Sequence, residues 1–93
     1  MLEQEAQMET SYNDHDLEEN SVTLEEIDQV AASGSTVECS LGQSDHGHQR
    51  VILVGFTFEG RLLEVGIEFL DHCVHVFHAS TATAHYHSEF ERG

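Results

Sequence analysis

Residues 50–80 constrain the fold of this chain more than any other stretch, because three apolar segments are separated there by two short turn sequences. The first segment, Arg50–Phe58, is rich in β-branched and aromatic residues. In the second, Arg61–Leu70, apolar and polar residues alternate, and a period of two predicts a strand with one buried face. The third, Cys73–Ala79, is again β-branched and aromatic. Together the segments predict an antiparallel three-stranded meander.

Two short turn sequences join the predicted strands. Glu59-Gly60 links the first to the second, and Gly60 can adopt the positive φ that a two-residue hairpin loop requires. Asp71-His72 links the second strand to the third. Because the first strand is apolar at successive positions, we expect both of its faces to be covered.

The residues before the meander predict a helix over 24–33. Thr23 and Glu26 have the spacing of a capping box, in which each side chain accepts a hydrogen bond from the other residue's backbone N–H. Apolar residues then repeat at helical spacing. Gly34 stands where a C-terminal cap is expected, so the helix is predicted to end there.

Shorter signals complete the predicted architecture, which is of the α+β class. Residues 35–40 predict a short edge strand, and residues 12–16 predict a loop or another edge strand. Apolar residues recur every fourth position over 82–91, which predicts a C-terminal helix packed on the sheet. We therefore expect one domain over 12–93, preceded by a polar acidic tail or frayed helix at 1–11.

The charge balance disfavours nucleic-acid binding. The chain has 93 residues with 18 acidic side chains, three arginines and no lysine, for a formal net charge of −15. A chain of this sign repels phosphate backbones and suits either a basic partner or a high-salt cytoplasm. Because so small a chain buries a modest core, we also expect a stabilising partner or a homodimer.

The expected location is the cytoplasm, with no membrane association. No apolar run is long enough to span a bilayer, and the acidic N-terminus differs from a basic signal peptide. Two cysteines, Cys39 and Cys73, lie in no metal-binding or redox spacing. In a cytoplasmic chain they are predicted to be free thiols.

The eight histidines raise a metal-binding alternative. On an ideal strand Cys73 and His75 share one face, whereas His78 lies on the other. His46 and His48 lie in a predicted loop. None of these spacings matches a zinc finger, a zincin or a facial triad, so we predict no cofactor. An acidic, histidine-rich metal-binding module stays open as an alternative.

General acid–base chemistry is a second hypothesis for the histidines. His78, His85 and His87 lie near the junction of the last strand and the last helix. His85 and Glu89 are four residues apart on one helical face, and histidine is a competent proton shuttle at neutral pH. Such a cluster could cleave RNA by activating a 2′-hydroxyl, whereas a solvated helix face explains the same residues without a function.

The order of these residues resembles the BrnT-like toxin family. Val22-Thr23-Leu24-Glu25-Glu26 is similar to the family's V-S-x-E-E helix start, and Gly55 to Leu63 is similar to its G-x-T-x-x-G-R-x-L hairpin. Ala79–Thr83 occupies the place of its A-R-x-A-T run, and Phe90 that of a tyrosine in the last helix. The resemblance covers residues 12–91.

The resemblance implies a RelE-type fold and the toxin half of a bacterial type II toxin–antitoxin pair. Such toxins cleave RNA without a metal and are silenced by a cognate antitoxin protein. Only Arg61 stands at a matching basic position; Ser80 replaces the family's arginine and Tyr86 its glutamate. The predicted catalytic residues of a metal-independent endoribonuclease are Arg61, His78, Ser80, His85 and His87. A catalytically inactive, acidic protein-interaction domain of the same fold is the alternative.

Overall fold

A computed structural model describes residues 9–93 and confirms the α+β class, with a five-stranded mixed sheet and three helices. In chain order the elements are β1 (Glu9–Tyr12), α1 (Asp14–Asn20), α2 (Leu24–Ala32), β2 (Val37–Gln43), β3 (Gln49–Phe56), β4 (Leu62–Phe69), β5 (Cys73–Thr81) and α3 (Ala84–Arg92). The prediction of a tail or frayed helix for residues 1–8 lies outside the described residues.

The predicted meander forms the inner part of a larger sheet, whose strand order is β1-β5-β4-β3-β2. β1 runs parallel to β5, and the other neighbours are antiparallel. Residues 9–11, which the prediction assigned to a tail, belong to β1 together with Tyr12. The residues that follow form α1, so the loop or edge strand predicted over 12–16 is helical from Asp14 onward.

α2 begins as predicted but ends differently. Its capping box is complete: Thr23 Oγ1 accepts from the Glu26 N–H at 3.1 Å, and Glu26 Oε1 accepts from the Thr23 N–H at 3.0 Å. The predicted Gly34 cap is wrong, because the helix ends at Ser33 in an extended conformation. The Ser33 N–H and the Thr36 hydroxyl both donate to the free carbonyl of Val30 instead.

The hairpin between β3 and β4 is closed by Thr57 and Arg61, so its loop has three residues (58–60) and not the two predicted from Glu59-Gly60. The Thr57 N–H donates to the Arg61 carbonyl at 2.9 Å, and the Gly60 N–H donates to the Thr57 carbonyl at 3.0 Å. Gly60 has φ 91°, which is the left-handed position of a three-residue hairpin loop. Between β4 and β5, the Leu70 N–H donates to the Cys73 carbonyl at 2.8 Å, so the loop has the two predicted residues, Asp71 and His72.

The sheet has one largely apolar face and one mixed face. The α2 face packs against α1 and α2 through a single buried cluster: Leu17, Val22, Ile27, Val30, Leu63, Val65, Val76 and Ala79. The α3 face is apolar only under the last helix, where Ile52, Val54 and Leu62 contact Ala82, Tyr86 and Phe90. This contact explains the predicted recurrence of apolar residues, although α3 begins at Ala84 and Ala82 lies before the helix.

A bulge in β5 changes the face on which His78 lies. Gly66 pairs with His78, whereas the next residue of β4, Ile67, pairs with Val76, so Phe77 is an additional residue. The bulge brings His78 to the α3 face, which corrects the prediction that it lies opposite His75. Gly66 accommodates the bulge, because a Cβ added there would lie 2.6 Å from the end of the Phe77 ring.

Candidate functional site

The candidate site is centred on His78, whose two ring nitrogens face two carboxylates. Nδ1 lies 3.2 Å from Asp16 Oδ1, and Nε2 lies 3.1 Å from Glu64 Oε2. The Ser80 hydroxyl lies 3.2 Å from the same Nε2 atom. Asp16, Glu64, His78 and Ser80 form what we call the His78 centre. Of the five predicted site residues, only His78 and Ser80 belong to it.

Asp16 reaches the centre from α1, beside the exposed end of β5. β1 pairs with β5 only as far as Tyr12 and Val76. Beyond that point, Asp16 Oδ2 accepts a hydrogen bond from the Ala79 N–H at 2.8 Å. The carboxylate therefore takes the place of a neighbouring strand and pairs a backbone group that the sheet edge would leave open.

Asn13 supports the same edge from the start of α1. Its Oδ1 accepts from the Asp16 N–H at 3.2 Å, which caps the helix, and its Nδ2 lies 3.5 Å from the Phe77 carbonyl. One side chain thus fixes the position of the helix that carries Asp16 and also contacts the edge that Asp16 closes.

The environment of Asp16 favours its ionised form. Burial alone would raise the pKa of Asp16, but the Ala79 N–H and the His78 ring together hold it below its ordinary value of 3.8. The folded state therefore stabilises the Asp16 carboxylate relative to the unfolded chain.

Glu64 is the most buried acid of the centre, and its side chain is only 7% exposed. Its Oε1 accepts from the Thr83 N–H at 2.7 Å, directly before α3. Thr83 makes no side-chain cap, so the Glu64 carboxylate pairs a free N–H at the positive end of the helix dipole. Glu64 thereby joins β4, β5 and α3.

The centre has the residue order of a hydrolytic triad, but its histidine and serine are engaged by other groups. Asp16 faces Nδ1 and Ser80 faces Nε2 of His78, as a general-base mechanism requires. Glu64 competes with Ser80 for Nε2, and a ring protonated on both nitrogens would donate to both carboxylates with no lone pair left to act as a base. The Ser80 hydroxyl donates to the Thr81 carbonyl at 3.1 Å. The geometry suits the joining of three elements better than the activation of a nucleophile.

Arg61, the predicted basic residue of the hairpin, serves a structural role on the other side of the sheet. Its guanidinium donates to the carbonyls of Asn20 at 3.1 Å and Ser21 at 2.9 Å, where α1 ends. It also donates twice to the Thr81 hydroxyl and lies 3.5 Å from Glu26 Oε1. Arg61 therefore caps the negative end of one helix and neutralises a carboxylate at the start of the next.

His85 and His87 lie on α3 and do not join the His78 centre. Both are exposed. The His85 ring packs edge-on against Tyr86 with centroids 4.8 Å apart, and His87 Nδ1 lies 3.7 Å from Glu91. The predicted pairing partner of His85, Glu89, instead lies 3.5 Å from Arg92. The five predicted catalytic residues are thus distributed over three separate environments.

A second polar cluster surrounds Glu68 further along the α3 face. Glu68 Oε2 accepts from the Ser44 hydroxyl at 3.1 Å and lies 3.2 Å from His48 Nδ1. Burial alone would raise the pKa of Glu68, but Ser44, His48 and Arg50 hold it below 4.5. Arg50 Nε lies 3.3 Å from Oε1 without hydrogen-bond geometry, and its guanidinium lies 4.2 Å from the Phe77 ring centroid. The cluster fixes the β2–β3 hairpin on β4.

Within residues 9–93, no group of three or more His, Cys, Asp or Glu side chains is arranged to hold a metal ion. Cys73 and His75 share a face as predicted, but His75 Nδ1 lies 2.7 Å from the Ser11 hydroxyl. Cys39 and Cys73 are free thiols, which confirms that prediction.

The sequence predicted neither carboxylate of the His78 centre. A signal for Glu64 was present, because its cross-strand neighbour Val54 lies in a strand that is apolar on both faces. A carboxylate opposite such a strand is buried and therefore requires partners. Asp16 gave no local signal, since the residues that it contacts are about sixty positions further along the chain.

Comparisons with protein-family models, with curated proteins and with solved structures give no match to this chain. The helices of the described part are too short or too polar for any of them to cross a membrane.

Proposed function

We propose that this chain is an acidic protein-interaction domain with a toxin-like α+β fold and that its partner is a basic protein. The resemblance to BrnT-like toxins supports a cognate antitoxin as the partner and the cytoplasm as the location of the pair. RNA cleavage is not the primary activity in this proposal, because the chain offers almost no free cation to a phosphate chain.

The observation that carries the proposal is the environment of the three arginines, which are the only Lys or Arg residues in the sequence. Arg61 is fully engaged by carbonyl, hydroxyl and carboxylate groups, and Arg50 is stacked on Phe77 beside Glu68. Arg92 is mostly exposed but lies beside a glutamate. Nucleic-acid binding needs several cations on one surface, so the chain is poorly suited to it.

The solvent side of α1 and α2 supports a basic partner. Exposed acidic residues are concentrated on these two helices: Asp14, Glu18, Glu19, Glu25 and Asp28. A surface of one sign attracts a partner of the opposite sign and accelerates association at low salt.

The test is a binding measurement with the protein encoded by the gene directly adjacent to this one. We expect a basic protein that binds the purified chain, with an association rate that falls steeply as salt rises. Expression of the chain alone is expected to cause no growth arrest. An adjacent gene product that is not basic or does not bind would contradict the proposal.

A matched set of variants separates charge from structure in that measurement. Glu18→Gln, Glu25→Gln and Asp28→Asn together remove three exposed charges that make no ion pair with a described residue. We expect slower association and a shallower salt dependence with unchanged thermal stability. Asp71→Asn, in the exposed loop between β4 and β5 and outside α1, α2, α3 and β2, is the control and should leave the association rate unchanged.

RNA cleavage is the second candidate function, and the Asp16–His78–Ser80 order is the observation that favours it. The purified chain, the His78→Gln variant and the double variant His85→Ala, His87→Ala would each be incubated with a structured RNA. Cleavage that His78→Gln abolishes and the helix variant retains would favour this candidate. Absence of cleavage by the unmodified chain would remove it.

A further inference from the structure

The outer edge of β2 presents backbone groups that no described strand pairs. At the β3–β4 loop, the Thr57 N–H donates to the Arg61 carbonyl, which makes these two residues a hydrogen-bonded pair. In an antiparallel ladder such pairs alternate along the strands. The N–H and C=O groups of Ile52 and Val54 on β3 therefore point away from β4 and toward β2.

The register of β2 identifies which of its groups face outward. Ile52 and Val54 pair with Cys39 and Val37, so the backbone groups of Cys39 and Val37 are directed toward β3. The N–H and C=O groups of the intervening residues Glu38 and Ser40 then point to the open side of the sheet. An edge of this kind is a template for another strand.

A groove of about 630 Å³ lies alongside this edge, between β2 and α3. Its lining includes apolar side chains from both elements and two acids: Val37, Cys39, Leu41, Tyr86, Glu38 and Glu89. An extended peptide that pairs with a sheet edge directs alternate side chains to one face. The β2 groove is placed to receive those side chains, while the backbone supplies the hydrogen bonds.

The charges around the groove favour a basic occupant over a second copy of this chain. Burial raises the pKa of the Cys39 thiol, and the carboxylates of Glu89 and Glu38 raise it further. Arg92 lies beside Glu89, whereas Glu38 forms no ion pair with any described residue. Two copies, each with a formal charge of −15, would repel one another at this edge.

We infer that the outer edge of β2 binds an extended, basic segment of a partner polypeptide as a sixth strand of the sheet. Alternate apolar side chains of that segment enter the β2 groove, and its basic side chains lie next to Glu38. The inference rests on the proposed function for the existence of a basic partner, and it adds the surface and the mode of binding.

Proline substitution at the edge tests the backbone contribution. Glu38→Pro removes one outward N–H and leaves the ladder with β3 intact, whereas Glu38→Gln removes the charge and keeps the N–H. With the adjacent gene product, we expect Glu38→Pro to weaken the Kd about tenfold. For Glu38→Gln we expect a change of about threefold or less. Equal affinity of Glu38→Pro and the unmodified chain would overturn the inference.

A second measurement needs no variant and no natural partner. The probe is the synthetic octapeptide Lys-Val-Lys-Val-Lys-Val-Lys-Val, added to the isotope-labelled chain while amide hydrogen exchange is followed by NMR. We expect slower exchange of the Glu38 and Ser40 amides and shifts of the Tyr86 resonances. The matched peptide with glutamate in place of lysine should produce neither effect. Slowed exchange confined to other parts of the sheet would contradict binding at β2.

The outcomes separate this inference from the proposed function. An adjacent gene product that binds equally well to the unmodified chain and to Glu38→Pro refutes the β2 edge and leaves the interaction domain standing. An adjacent gene product that does not bind refutes the proposed function, and the octapeptide measurement then decides on the edge by itself.

Discussion

Backbone groups left open by neighbouring strands are paired by side chains at the end of β5 but not along the outer edge of β2. Beside β5, where β1 ends, Asn13 and Asp16 contact the backbone groups of Phe77 and Ala79 from the start of α1. Along β2 no described side chain or strand performs that role for Glu38. Natural proteins protect sheet edges against association, and here a carboxylate closes the part of β5 that lies beyond β1, whereas the outer side of β2 is left available.

The two regions contain similar polar groups, but the His78 centre joins structural elements, whereas we propose that the β2 edge binds a partner. The His78 centre combines a buried glutamate, an aspartate and a histidine, and these groups satisfy one another and the backbone. Of the two acids that line the β2 groove, Glu89 on α3 lies beside Arg92, whereas Glu38 on β2 forms no ion pair with a described residue. Polar groups that are paired within the chain hold its elements together, and those left unpaired are available to a partner.

Loss of the Glu64 side chain is expected to cause the largest change at the closed edge. Glu64→Ala removes a buried carboxylate that accepts from the Thr83 N–H and faces His78 Nε2, so we expect about 3 kcal/mol of destabilisation. Glu64→Gln retains an acceptor for Thr83 and should cost about 1 kcal/mol. Urea unfolding at neutral pH measures both. Equal stability of the two variants would show that the backbone acceptor role of Glu64 is unimportant.

The bulge that positions His78 can be tested at Gly66. Gly66→Ala places a methyl group 2.6 Å from the end of the Phe77 ring, which Arg50 covers on one side, so we expect about 2 kcal/mol of destabilisation. The double variant Gly66→Ala, Phe77→Ala removes that clash. If the destabilisation of the double variant equals or exceeds the sum of those of the two single variants, the bulge does not depend on this contact.

These predictions concern the part of the fold that the sequence did not specify. α2 and the meander were predictable because their signals are local: a capping box at Thr23 and Glu26, and a period of two along β4. The face of His78 was not, because an extra residue in β5 changes the phase of the strand. The isolated Gly66 was the available hint, since glycine within a strand often marks a bulge.

The site was less predictable than the fold because its members meet only in three dimensions. Asp16 contacts His78 from a helix that begins where β1 ends, and neither boundary was predicted. Arg61 was identified as a basic residue of the hairpin, but its engagement with the end of α1 depends on the packing of distant elements. The orientation of α3 likewise separates His85 and His87 from His78.

The pH dependence of stability sharpens the comparison between the edges. Because the pKa of Asp16 is lowered in the folded state, its contribution is fully present above the ordinary value of 3.8 and is lost as pH falls through the lower folded value. Asp16→Asn should cost about 1 kcal/mol at neutral pH and flatten the stability profile below that value. A series of urea titrations from pH 7 to acid measures this. A variant profile parallel to that of the unmodified chain would contradict the role of Asp16.

The smallest effect is expected at the open edge. Glu38→Gln removes an exposed charge that has no cationic partner among the described residues, so we expect a change within about 0.5 kcal/mol in the unfolding free energy. Its effect should appear in partner binding and not in stability. Thermal unfolding of Glu38→Gln is measured in parallel with that of the Glu64 variants. A destabilisation of Glu38→Gln as large as theirs would mean that the β2 edge is also a structural site.

Native-state amide hydrogen exchange of the free chain tests the central distinction most directly. The Ala79 amide, bonded to Asp16, should exchange slowly although no strand covers it. The Glu38 and Ser40 amides should exchange rapidly, while the intervening Cys39 amide, directed toward β3, stays protected. Slow exchange of Glu38 and Ser40 in the free chain, or rapid exchange of Ala79, would contradict the account of a closed end of β5 and an open β2 edge.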